Sequence, residues 1–240
     1  KTIYYQSVEN GSTNRGVYSI ELDGTNKKLL SNNIGTNTAA FSKNLNYFIN
    51  SHSSSKTPPT FSLYSAEGEM VKVIIDNAPL QEKLTDYKMS QKEFSTIKIN
   101  GNDLNMWMIK PADFDAQKEY PLLMFQYSGP GSQQVANRWN GTNDYWHQLL
   151  AQEGMIIICV DGRGTGLKGR DFKKVTQKEL GKFEVEDQIA AAKKLAERSY
   201  IDKNNIGIWG WSYGGFMSTN CLLKGNDIFS TAIAVAPVTS

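Results

Sequence analysis

The chain has 240 residues, enough for one large domain or two modest ones with a sizeable core. A formal net charge of +2 gives no reason to expect nucleic acid or a membrane surface as a partner, and no apolar run approaches the ~20 residues of a membrane span. Two cysteines do not make a disulfide framework, and no amino-terminal segment reads as a signal peptide.

The chain starts at Lys1 rather than methionine, as expected of a protein that is processed or cut from something longer. Residues 1–85 alternate apolar and polar positions in short runs: Thr2–Val8, Gly16–Leu22, Lys27–Leu30, Tyr47–Ser51, Thr60–Ser65 and Met70–Ile75. Turn-formers such as Glu9-Asn10-Gly11, Asp23-Gly24-Thr25 and Glu67-Gly68-Glu69 separate them, which predicts an antiparallel β-meander. Such a meander could form a sandwich piece or about two propeller blades at ~40–50 residues each.

From Asp86 onward the texture changes. Phe94–Asn100 and Leu104–Lys110 read as a hairpin around Asn100-Gly101, and Pro121–Tyr127 and Met155–Val160 as buried strands. Asp144–Glu153 and Phe183–Arg198 read as helices, the second with Val185, Ile189, Ala192, Leu195 and Ala196 on one face. Strands at 205–211 and Thr231–Val235 follow, with a helix between them. Apolar strands alternating with amphipathic helices predict an α/β domain over residues 86–240, with a mostly parallel sheet covered on both sides. Cys159 and Cys221 fall on a predicted strand and helix and read as core thiols.

The run Asn205-Ile206-Gly207-Ile208-Trp209-Gly210-Trp211-Ser212-Tyr213-Gly214-Gly215 has the pattern of a nucleophile elbow, G-x-S-x-G between a strand and a helix. The bare pattern arises by chance in roughly one chain of this length in ten. Its apolar strand before and the helix-spaced Phe216, Met217, Cys221, Leu222 and Leu223 after favour the elbow over a serine that merely caps a helix. Ser212 is then the candidate nucleophile and the Tyr213 N–H one oxyanion donor. The loop after the strand ending near Phe125, Gln126-Tyr127-Ser128-Gly129-Pro130-Gly131, should supply the other: the Tyr127 phenol at the strand end could point at the same oxyanion, with an aromatic packed at the strand edge as the other reading.

The base is missing. In an elbow fold the order is serine, acid, histidine, yet the two histidines, His52 and His147, both precede Ser212. Asp227 reads as a loop residue, His147 as a helix residue packed or solvated beside Trp146, and His52 as a residue of the meander. Gly164-Thr165-Gly166-Leu167-Lys168-Gly169 matches a dinucleotide-binding pattern. However, Asp161-Gly162-Arg163 separates it from the strand and no acid-tipped strand follows, so a rim loop is the better reading. Glu184, Glu186 and Asp187 open a helix, where carboxylates suit the helix dipole, with bracing of loops near the site as the other reading.

Five stretches, in order, resemble the dipeptidyl peptidase IV branch of the prolyl oligopeptidase family: Gln126–Pro130, Asp161–Gly166, Gly181–Gln188, Gly210–Gly215 and Ala234–Val238. Trp211 and Tyr213 beside the serine favour this branch over acylaminoacyl peptidases and prolyl oligopeptidase itself. The resemblance implies propeller blades over residues 1–85 and the first part of an α/β-hydrolase catalytic domain over 86–240. It implies a serine exopeptidase that releases dipeptides from peptides with proline or alanine second. Ser212 would be the nucleophile, Tyr127 and Tyr213 the oxyanion donors, and Trp211 and Val238 substrate-binding residues. No cofactor or metal is implied; a homodimer outside the cytoplasm is. The family's amine-binding glutamates are expected before Lys1, and its catalytic aspartate and histidine after Ser240, so residues 1–240 alone are expected to be inactive. Another hydrolase of this fold (an esterase or acylaminoacyl peptidase) or a non-catalytic binding module are the alternatives.

Overall fold

In the computed structural model, which describes residues 1–239, β1 (Thr2–Ser7), β2 (Gly16–Glu21) and β3 (Lys28–Leu29) pair antiparallel. β4 (Thr36–Phe41), β5 (Tyr47–Ser53), β6 (Thr60–Ser65) and β7 (Met70–Ile75) form a second, four-stranded antiparallel sheet. A helix, α1 (Ala78–Leu84), follows and buries no residue. Val17, Leu30 and Phe48 are buried between these strands, with Tyr4, Phe41 and Tyr64 packed around them. Phe48 stacks on Tyr64 with ring centroids 5.2 Å apart, an aromatic contact of the kind worth about 0.5–1.5 kcal/mol beyond its area.

The expectation that alternation alone marks the strands misses β4. Its buried position is Asn37, not an apolar residue. Asn37 donates through Nδ2 to the carbonyls of Arg15 and Asn32, both at 2.9 Å, and accepts from Asn50 Nδ2 at 3.0 Å. A fully bonded amide is tolerated in a core where a lone one would not be.

Two compact units divide the chain, and the division falls after Met89. Residues Ala136–Asp144 rejoin the first unit. There Asn137 binds Thr13, Thr36 and Ser55 through its backbone N–H, its carbonyl and Oδ1, respectively.

The second unit is built on one six-stranded sheet. Its strands are β8 (Lys92–Ile99), β9 (Asn102–Ile109), β10 (Tyr120–Phe125), β11 (Ile156–Asp161), β12 (Ile201–Trp211) and β13 (Thr231–Val235). Their order is β13-β12-β10-β11-β9-β8. β11, β10, β12 and β13 run parallel, while β8 and β9 form a hairpin that adds antiparallel to β11. At the hairpin turn Asn100 and Gly101 have φ of 49° and 78°, the two positive values that a type I′ turn requires.

Helices α2 (Thr142–Gln152), α4 (Phe183–Ala196) and α5 (Tyr213–Lys224), with the single-turn α3 (Arg170–Lys174), complete the elements. The central strand β11 is buried along its whole length because both sheet faces are covered. Ile156, Ile158 and Val160 join the core that includes Val185 and Leu195 of α4 and Met217 of α5. Ile157 and Cys159 join the opposite core with Trp107, Phe125 and Ala151 of α2. The parallel pairing of β10 with both β11 and β12 puts the carboxyl ends of these three strands side by side at one rim.

Candidate active site

Ser212 lies at that rim, exposed, between the end of β12 and the first residue of α5. Its backbone is at φ 53°, ψ −118°, a combination outside the left-handed helical well that costs of order 1–3 kcal/mol in a residue with a side chain. Neighbouring backbone holds it there. The Ser212 N–H donates to the Val235 carbonyl at 2.9 Å, and the Ser212 carbonyl accepts from Phe216 N–H at 3.1 Å.

The flanking glycines are explained by close approach. A Cβ at Gly214 would lie 2.6 Å from the Gln126 carbonyl oxygen and 3.1 Å from the Tyr127 Cα. One at Gly215 would meet the Val235 carbonyl oxygen at 2.9 Å. Two backbones can touch at the turn only because these side chains are absent.

The loop after β10 lies against the elbow. Gln126 is fully buried and donates through Nε2 to the Gly214 carbonyl at 2.7 Å and to Ser218 Oγ at 3.0 Å. The next ring, that of the half-buried Tyr127, lies 6.3 Å from the Tyr213 ring, centroid to centroid. Gly129 leaves the space that this ring occupies, since a Cβ there would overlap it. Ser128 has φ 59°, and its Oγ accepts a long 3.4 Å bond from Gln188.

Tyr213 is the first residue of α5, so its N–H is one of the amides that a helix leaves without an intrahelical acceptor. Its phenol donates to Glu184 Oε1 at 2.7 Å. Burial first, and then this carboxylate, push the phenol's pKa well above the usual tyrosine value, so it remains a donor. Trp211 is exposed and pairs in register with Val235, and Val238 is exposed on the segment after β13.

The remaining sequence candidates sit elsewhere. His147 is fully buried among the rings of Trp107, Phe125 and Trp209. His52 bonds the Ile34 carbonyl at 3.0 Å within the first unit. Asp227 is an exposed loop residue paired with Lys193 at 2.6 Å. In the glycine-rich run after Asp161, the N–H groups of Gly164 and Gly166 donate to the carbonyls of Phe172 and Ser132. Those amides are spent on loop closure rather than left to cradle a phosphate. Among the described residues no group of three or more His, Cys, Asp or Glu side chains could hold a metal, and no helix is long and apolar enough to cross a membrane.

The acids of α4 do more than the helix dipole explains. Asp187, with no exposed side chain, accepts from Arg163 Nε at 3.0 Å and Nη2 at 2.7 Å, from the Arg163 backbone N–H at 2.8 Å, and from Asn100 Nδ2 at 3.1 Å. The Asp187 bond raises the Arg163 pKa. Asp161 binds the backbone N–H of Gln134 and of Val135. The bonds of Gln126 and Gln188 are not assigned by the sequence patterns, and of the two readings of the α4 acids Glu184 and Asp187 fit loop bracing rather than the helix dipole alone. The available signal is the spacing Glu184, Asp187, Gln188, which puts three polar side chains on a helix face that should be apolar.

Residues 142–240 match the model of the prolyl oligopeptidase family, and residues 1–59 that of the dipeptidyl peptidase IV N-terminal region. Dipeptidyl peptidase 4 of Trichophyton equinum is 38% identical over 99% of this chain, which covers 31% of that protein. The same values hold for the Trichophyton tonsurans protein of that name. The crystal structure of Porphyromonas gingivalis dipeptidyl peptidase 4 superposes with a TM-score of 0.95 at 46% identity, covering 99% of this chain and 33% of that one. The chain thus spans about a third of the length of these relatives. The two antiparallel sheets are β-propeller blades, and the six-stranded sheet with its helices is part of an α/β-hydrolase domain.

Proposed function

From the match of residues 142–240 to the prolyl oligopeptidase family model we propose that the whole protein is a serine exopeptidase that removes amino-terminal dipeptides with proline or alanine second. The observation that carries this reading is the exposed Ser212, held at φ 53° where a strand turns into a helix beside the Tyr127 loop.

In the proposed reaction Ser212 Oγ attacks the carbonyl after the second residue of the peptide and gives its proton to a histidine. The carbonyl oxygen, now an anion, takes hydrogen bonds from the Tyr213 N–H and the Tyr127 hydroxyl, each worth about 3 kcal/mol to the transition state. The histidine returns the proton to the leaving amine, an acyl-enzyme remains on Ser212, and water releases the dipeptide by the same path. Trp211, next to Ser212 in the chain, and Val238, whose N–H donates to the Ser212 carbonyl at 3.4 Å, are both exposed and are proposed to contact the substrate.

No histidine lies between Ser212 and residue 240. The base and its acid are therefore proposed to follow Ser240 in the whole protein, and the glutamates that bind the substrate amine to precede Lys1. On this reading the domains are 1–85, closing blades of a propeller, and 86–240, the start of the catalytic domain. The protein acts outside the cytoplasm as a homodimer.

The test is a fluorophosphonate probe and a chromogenic Gly-Pro substrate on the full-length protein. Labelling at Ser212 and hydrolysis abolished by Ser212→Ala support the reading, and a polypeptide of residues 1–240 should hydrolyse nothing. Turnover of esters or acyl-peptides in preference to Gly-Pro would move the protein to another hydrolase class. Absence of labelling would make it a binding module.

A further inference from the structure

The first two turns of α4 reach three loops of the catalytic rim: Gln188 the loop after β10, Asp187 the loop after β11, and Glu184 the elbow. The contact with the elbow is the most direct. Glu184 is fully buried, and both its oxygens are engaged. Oε2 accepts from the Gly181 N–H at 3.1 Å, reaching back over the helix start as in a capping box. Oε1 leaves the helix and accepts from the Tyr213 phenol at 2.7 Å, within the short range of hydrogen bonds to an ionised acceptor.

A carboxylate needed only to suit the helix dipole would stay near solvent, as the exposed Glu186 does. Burying a carboxylate is expensive unless its bonds are kept. Tyr213 therefore cannot swing away without leaving a buried charge short of a donor. Its ring is also fixed sideways, 5.5 Å from Phe216 at an interplanar angle of 70° and 6.3 Å from Tyr127.

We propose that Glu184 is a positioning residue that acts through Tyr213, pinning the tip of the phenol so that the peptide between Ser212 and Tyr213 keeps its N–H aimed at the oxyanion. The strained Ser212 sits next to that peptide, so a free Tyr213 would give the backbone a route to relax and turn the amide away. The proposal rests on Ser212 being the nucleophile.

The experiment uses the full-length enzyme, its Ser212→Ala variant, Tyr213→Phe, Glu184→Gln and the double variant. Tyr213→Phe should lower kcat about tenfold with KM within twofold, well short of the 10²–10³ lost when an oxyanion donor is deleted outright. Affinity for a boronate that mimics the tetrahedral intermediate should fall by the same factor, and affinity for the product dipeptide should hold. The double variant should be no worse than the poorer single variant, because both remove one link. A Tyr213→Phe enzyme with kcat within twofold of wild type, or a loss seen in KM instead, overturns the proposal while Ser212-dependent turnover leaves the peptidase reading standing. Wild-type protein without Ser212-dependent turnover overturns both. If Glu184→Gln does not fold, Tyr213→Phe decides alone.

Discussion

Gln126 and Gly214 touch twice. The Gln126 side-chain amide donates to the Gly214 carbonyl at 2.7 Å, and the Gln126 carbonyl oxygen fills the space where a Gly214 Cβ would be, 2.6 Å away. The end of β10 and the first turn of α5 are thereby held as one piece, and Tyr127 and Ser212 are each only a residue or two from that contact.

Gly214→Ala should therefore destabilise the protein by about 1–3 kcal/mol, the usual range for overpacking. The nearest atom is backbone and cannot step aside by a rotamer change. A urea titration followed by tryptophan fluorescence reads the shift in midpoint. An unchanged midpoint would mean that the two backbones separate freely, which the Gln126 bond argues against.

Tyr127→Phe in the full-length enzyme should lower kcat by 10²-fold or more and leave KM nearly unchanged, since the hydroxyl is proposed to bind charge that exists only in the transition state. Steady-state kinetics on a Gly-Pro substrate separates the two constants. An unchanged kcat would remove Tyr127 from the oxyanion site.

Arg163→Met should cost about 3 kcal/mol, because it leaves the Asp187 carboxylate buried with only the Asn100 amide and a backbone N–H as donors. Arg163→Lys should fall between, keeping the charge but not the forked geometry. Thermal unfolding of both variants beside wild type gives the order.

Cys221 carries a pH dependence. Burial pushes its thiol up to about 12, against a usual value of 9.0. The unfolded chain therefore loses this proton first as pH rises, and the stability linked to it is intact below pH 9 and declines above it. The decline is about 1.4 kcal/mol per pH unit until the folded thiol itself ionises. Urea midpoints from pH 8 to 10.5 should fall more steeply for wild type than for Cys221→Ala, and identical slopes would contradict the burial. Burial also raises the Cys159 thiol well above its usual value, so neither cysteine should be alkylated at pH 8 until the protein is unfolded.

Legibility in the sequence followed apolar periodicity. β11, with its run of three isoleucines, could be read at once, and so could the Asn100-Gly101 turn and the helix 183–196. β4 could not, because its buried residue is an asparagine. α1 buries nothing, and α3 is a single turn with no buried residue, so neither leaves an apolar stripe. The return of 136–144 to the first unit rests on Asn137 and backbone bonds, which have no signature in a pattern of hydrophobic positions.

The sequence by itself determined the class of the second unit and the place of the serine, because strand and helix periods and glycine-permitted turns are local properties of the chain. Only the tertiary structure decided which polar side chains turn inward to hold the site. Gln126 meets residues 88 and 92 positions away, and Glu184 meets Tyr213 29 positions on. A helix-dipole carboxylate and a buried clamp look the same in sequence. They differ in what the fold brings within 3 Å of the oxygens.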